Sequence, residues 1–161
     1  MKKLIFLLTI IGFVSCGQSS NKLNTDNDSQ VDRKTQNALA FINGYVENGN
    51  KMNQAIGIID WVNSNKLATE GFKKELKRIV DEAYKIDPEL GLDADPIFDA
   101  QDYPDKGFVI ESFDDKSNYL IVKGIDWPDF KLTMKLKNEN GIWLVDGCGI
   151  VNIPIEKRAK R

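Results

Sequence analysis

The chain reads as an α+β domain in which N-terminal helices pack on an antiparallel sheet. Two changes along the sequence predict this. Apolar residues recur at three-to-four spacing as far as Ala83, and from about residue 107 the period drops to two. Short turn-forming clusters separate the later apolar runs, which suits a meander following a set of helices.

Ala38, Phe41, Ile42, Tyr45 and Val46 form one apolar stripe that stops at Glu47-Asn48-Gly49-Asn50, a helix with a glycine stop. A weaker helical piece is expected through Met52, Ala55, Ile56, Ile59 and Trp61, with Gly57 and Asn63-Ser64-Asn65 blurring its limits. Thr69 is a natural N-cap for the third helix, whose apolar face is Phe72, Leu76, Ile79, Val80 and Ala83. Its other face carries Lys73, Lys74, Lys77, Arg78, Asp81 and Glu82, read as a solvated surface, and Asp87-Pro88 ends it. Strands follow at Phe108 to Phe113 and Tyr119 to Lys123, joined by a turn at Asp114 to Asn118. Phe130, Leu132, Met134 and Leu136 alternate with Lys131, Thr133, Lys135 and Lys137, giving one buried face and one basic face toward water. Those lysines are read as protection against edge pairing, with attraction of anionic lipid as the alternative. After a turn at Asn138 to Gly141, Ile142-Trp143-Leu144-Val145 returns antiparallel.

The bulk numbers exclude several classes. With 22 basic and 24 acidic residues among 161, the chain has a formal charge of −2, which argues against a nucleic-acid partner. Histidine is absent, which removes Ser-His-Asp and Cys-His nucleophiles and His-bearing zinc sites. Catalysis would have to rest on carboxylates, tyrosines or lysines. The two cysteines are Cys16 and Cys148; the second lies in an apolar segment and is expected to be a small, inert core residue. No cofactor and no metal are expected.

Met1-Lys2-Lys3, the apolar run Leu4 to Val14 and then Ser15-Cys16-Gly17 form a positive head, a hydrophobic stretch and a small residue before a cysteine. The run is about half of the roughly 20 residues that a spanning helix needs. The pattern resembles a bacterial lipoprotein signal, although Phe13 stands where such signals usually carry Leu. The resemblance implies cleavage after residue 15, acylation of Cys16 and a membrane partner through the lipid; an ordinary signal peptide is the alternative. Gly17 does not supply the Asp that retains some lipoproteins at the inner membrane, so the expected location is the cell envelope, at the outer membrane. Residues 16–32 are polar and are read as a lipidated, flexible tether, and residues 33–161 as a single domain.

Residues 93–105 carry five carboxylates, Asp93, Asp95, Asp99, Asp102 and Asp105, without the glycine and glutamate spacing of a calcium loop. Within them, Asp95-Pro96-Ile97-Phe98-Asp99-Ala100-Gln101-Asp102-Tyr103-Pro104 resembles a signature of the domain of unknown function 3828, a family of secreted and lipoprotein bacterial proteins. Phe41-Ile42-Asn43-Gly44-Tyr45, Leu67 to Leu76, and Gly141 to Gly147 agree with it, so the likeness spans about residues 37–151. It implies a cystatin-like or nuclear transport factor 2-like cone, with helices in the concavity of the sheet. It carries no established activity. A cone of this kind places a pocket between sheet and helices. That makes Tyr45, Asp95, Gln101, Asp102 and Tyr103 the candidate pocket or binding residues, with Tyr119 as a conceivable companion to Tyr45. Core packing for Tyr45 and loop capping for Gln101-Asp102 are the plainer readings. The functional expectation is a non-catalytic envelope module that meets another envelope protein. A small-ligand-binding cone and a carboxylate- or tyrosine-based lyase, isomerase or hydrolase are the alternatives.

Overall fold

Residues 22–160 are described in the computed structural model, with side chains from Arg33 onward. The signal segment and Cys16 lie outside the described residues. Helix α1 spans Lys22–Gly49, α2 Ile58–Ser64 and α3 Glu70–Ile86; the strands are β1 Phe108–Asp114, β2 Tyr119–Gly124, β3 Lys131–Glu139 and β4 Ile142–Cys148. The class is α+β, helices on an antiparallel sheet. Helical backbone begins at Lys22 rather than near Arg33, so α1 reaches into the segment read as tether. The second helical piece is shorter than its apolar residues suggest. A 3₁₀ turn at Met52–Gln54 leads through extended Ala55 to Gly57, and α2 starts only at Ile58.

The sheet is a four-strand meander in the order β1-β2-β3-β4. Bulges between Ile110 and Ser112 and between Lys135 and Leu136 break its register. Each adds local bend and twist, which curves the sheet around the helices. Leu120 pairs with Met134 and Val122 with Leu132, and all four are buried on the helix-facing side. Ala38, Phe41, Ile42, Tyr45 and Val46 from α1 and Phe72, Leu76 and Val80 from α3 complete this core. Burying a Phe or Leu side chain fully contributes about 1.5–3 kcal/mol, so these two helix faces supply the main cohesion of the fold.

The cap on α3 forms as its sequence predicts. Thr69 Oγ1 accepts from Phe72 N at 3.0 Å and donates to Asp146 Oδ1 at 2.9 Å, so the cap also ties α3 to β4. Just before it, Thr69 N donates to Val145 O at 2.9 Å and Val145 N to Leu67 O at 2.8 Å, a one-residue parallel bridge at Ala68 that covers the outer edge of β4.

The lysines of β3 require a correction. β3 lies inside the sheet, between β2 and β4, so its lysines do not guard an edge. They form ion pairs instead: Lys131 with Glu111 at 2.8 Å, Lys135 with Asp146 at 3.1 Å and Lys137 with Glu139 at 2.8 Å. Nor does the face between them all meet water. Thr133 is buried, and its hydroxyl donates to Lys157 O at 2.8 Å, because the C-terminal segment folds back over it. Lys157 Nζ in that segment lies 5.8 Å from the Tyr119 ring centroid.

Candidate functional site

The segment between α3 and β1 is a turn-rich loop fastened at both ends. Asp95 N donates to Ala100 O at 2.9 Å, closing a short loop in which Asp99 takes a positive φ of 52°. Asp95 Oδ1 accepts from Ile97 N at 2.7 Å and Phe98 N at 3.0 Å, an Asx cap of the kind aspartate supplies at turns. Its second oxygen, Oδ2, accepts from Tyr45 Oη at 2.5 Å, which pins the loop to α1. Ile97 and Phe98 are thereby set into the core, both nearly free of solvent contact.

Rings fill the space around this pair. Tyr45 lies 4.9 Å from Trp61 and 5.0 Å from Phe98 between centroids, and Tyr103 stacks on Phe98 at 4.6 Å with planes 17° apart. Phe41 meets Trp61 edge-on at 5.3 Å. Such tilted and stacked pairs suit the ring quadrupoles. A Cβ on Gly49 would lie 2.9 Å from Tyr103 Cζ, so glycine there lets the ring close over the end of α1.

The electrostatics follow from this packing. Burial raises the pKa of Asp95, against the lowering effect of the Tyr45, Phe98 and Ile97 hydrogen bonds. Burial first, and then the Asp95 charge and its hydrogen bond, push Tyr45 far above an ordinary phenol. Tyr103 is raised by burial and by Asp105 and Asp95. The group is held as a neutral phenol against a carboxylate whose proton affinity is increased. It can hold a proton.

Tyr45, Asp95 and Tyr103 are therefore brought together, as three of the five candidate residues. Gln101 and Asp102 are exposed, and Gln101 Nε2 donates to Asp93 O at 3.2 Å, within its own loop. Tyr119 is on β2 at the opposite side of the sheet, under Lys157. Cys148 is buried, and its thiol lies 3.5 Å from Ile97 O, fitting the expected core role. Among the described residues no group of histidine, cysteine and carboxylates is placed to hold a metal, and no helix is long and apolar enough to cross a membrane.

Three asparagines on α1 escaped sequence reasoning. Asn43 pairs its amide with the backbone of Phe108 through bonds of 3.1 and 2.7 Å, Asn48 does the same for Ile56 at 2.8 and 3.0 Å, and Asn37 donates to Trp143 O at 2.9 Å. The only signal was polar residues bordering an apolar stripe. Asn37 borders an open cleft of about 410 Å³ lined by Arg33, Lys34, Asn37, Gly141, Ile142 and Trp143.

No family model matches this chain, and no curated protein matches it. A solved structure of a protein of unknown function from Bacteroides thetaiotaomicron VPI-5482 is similar at 21% identity and a TM-score of 0.45, covering 79% of this chain and 97% of that one.

Proposed function

We propose that this chain is a lipid-anchored protein of the bacterial envelope whose folded part is a non-catalytic interaction module. The observation that carries the reading is Cys16 directly after a basic head and the apolar run Leu4 to Val14. The resemblance of residues 95–104 to the domain of unknown function 3828 family supports it. So does the use made of the acidic loop: Asp95 spends both oxygens on holding the loop to itself and to α1. Gln101 and Asp102, the remaining polar candidates, stand exposed on the loop surface.

A carboxylate–phenol enzyme is the second reading, and the Tyr45–Asp95 bond of 2.5 Å is the feature on its side. Against it stands the packing of that bond beneath Trp61, Phe98 and Tyr103. Photo-crosslinking in living cells from exposed positions such as Asp102 tests the module directly. The expected result is one reproducible adduct with an envelope component that depends on Cys16. Scattered products, or the same adduct from a Cys16→Ala chain left in the cytosol, would contradict the reading.

A further inference from the structure

Asn-Gly occurs three times in the chain, at Asn43-Gly44, Asn48-Gly49 and Asn140-Gly141. In this dipeptide the side-chain amide and the next backbone nitrogen meet with least obstruction, because glycine has no Cβ. The fold treats the three differently. Asn43 and Asn48 lie in α1 with both ends of the amide committed, Asn43 to the backbone of Phe108 at 3.1 and 2.7 Å and Asn48 to that of Ile56 at 2.8 and 3.0 Å. The nitrogen of each following glycine belongs to the helical ladder.

Asn140 stands in another setting. Glu139 pairs with Ile142, so Asn140 and Gly141 are the whole loop of the β3–β4 hairpin. Their φ values of 54° and 86° are the left-handed pair that a type I′ turn requires. Both residues are exposed, and a Cβ on Gly141 would meet nothing within 4 Å. Among the described residues no hydrogen bond reaches the Asn140 side chain. A restraint acts on the Gly141 nitrogen, whose N–H donates to Asn138 Oδ1 at 3.0 Å.

We propose that Asn140 is a site of spontaneous covalent modification, a self-deamidation that Asn138 restrains. When the turn opens, the Gly141 nitrogen attacks Asn140 Cγ. The N–Cγ bond forms, the Cγ–Nδ2 bond breaks, and the proton lost from the Gly141 nitrogen leaves with the side-chain nitrogen as ammonia. Water then opens the resulting succinimide. Cleavage of its Cγ–N bond gives aspartate at 140; cleavage of the backbone C–N bond gives an isoaspartyl link, in which the chain runs through Cγ. Water is the sole co-reactant. While Asn138 Oδ1 holds the Gly141 N–H, that nitrogen keeps its proton and does not attack. Opening the tip of a hairpin costs far less than opening α1, because local stability falls from core elements to exposed turns. Either product places a carboxylate beside Glu139. The isoaspartyl link also lengthens a loop whose length sets the strand register. Trp143, whose O accepts from Asn37 at 2.9 Å, lies next to that shift, so the tie between β4 and α1 is the contact it loosens.

The test keeps the purified full chain in detergent and warm, mildly alkaline buffer, and samples it over time. Tandem mass spectrometry of its peptides reads the mass gain of exchanging an amide for a carboxyl at each asparagine. Asn140 is expected to convert about tenfold or more faster than Asn43 and Asn48, each of which must first give up two side-chain hydrogen bonds. Its aspartyl and isoaspartyl peptides should separate by chromatography. In urea the three sites should converge, since only their sequence then distinguishes them. Asn138→Ala should speed conversion at Asn140 a few-fold in the native chain, the worth of one hydrogen bond, and should change nothing in urea. Equal rates at the three sites in the native chain, or no conversion at Asn140 there, overturns the proposal. An Asn138→Ala chain that converts no faster than the wild type overturns the restraint assigned to Asn138. The outcome does not depend on an acyl group at Cys16.

Discussion

The Asp95 carboxyl sits between opposing influences. Burial raises its pKa above 3.8, the bonds from Tyr45, Phe98 and Ile97 lower it, and burial prevails. A folded-state pKa above the unfolded value means that the protonated form is favoured in the native protein. The stability this gives is fully present below the unfolded value and is lost as pH rises through the folded one. Asp95→Asn, which imitates the neutral acid and keeps an oxygen for the two amides, is therefore expected to match or exceed the wild type at neutral pH and to lack the stability that the wild type gains as pH falls through the folded pKa of Asp95. Urea unfolding from pH 3 to 7 checks this; a large loss at neutral pH would show that the ionised form is the favoured one. Tyr45→Phe removes the donor to a half-buried oxygen and is expected to cost about 1–3 kcal/mol, read from the urea midpoint. Gly149, just after β4, is tightly constrained. Its φ is +61°, and a Cβ would meet the Pro96 and Ile97 carbonyls. Gly149→Ala is expected to destabilise by about 1–3 kcal/mol or more, with a matching fall in the thermal midpoint; an unchanged midpoint would mean that this loop does not pack on 96–97 in solution.

Among the elements, Thr69 shows how far local signals reach. A threonine ahead of Phe72, Leu76, Ile79 and Val80 sufficed to place the start of α3, and the bond to Phe72 N is there. Its second bond, to Asp146 Oδ1, joins residues far apart in sequence and leaves no periodic trace. Thr69→Ala loses both and is expected to cost about 1–2 kcal/mol, while Thr69→Ser should recover most of it; urea midpoints of the two variants decide. The strands were legible for the same reason as α3. Alternation in Leu120 to Val122 and in Leu132 to Leu136 reports a face, and a face is a local property. Strand order is not local, which is why the β3 lysines invited an edge explanation although β3 is central. The 52–57 segment misled because Met52 and Ile56 have helical spacing but are exposed, 80% and 50%; Asn48 holds Ile56 in an extended backbone instead. Of the candidate site, Tyr45, Asp95 and Tyr103 came from the resemblance of residues 41–45 and 95–104 to a family whose fold implies a pocket. The α1 asparagines showed only as polar residues beside an apolar stripe, because a side-chain amide that substitutes for a backbone partner has no spacing of its own.

At the scale of the molecule, α1 is the spine. It presents an apolar stripe to the sheet, and through Asn37, Asn43 and Asn48 it fastens β4, β1 and the loop before α2, while Tyr45 fastens the acidic loop. One end of this spine leads back toward Cys16, so a lipid there would hold the whole assembly by its most connected element. The account stands on that acyl group. Labelling of cells with palmitate, followed by intact mass of the labelled protein, tests it most directly. The account predicts a chain that begins at Cys16 and carries the label, with none on a Cys16→Ala chain; an unlabelled product that retains Met1-Lys2-Lys3 would contradict it.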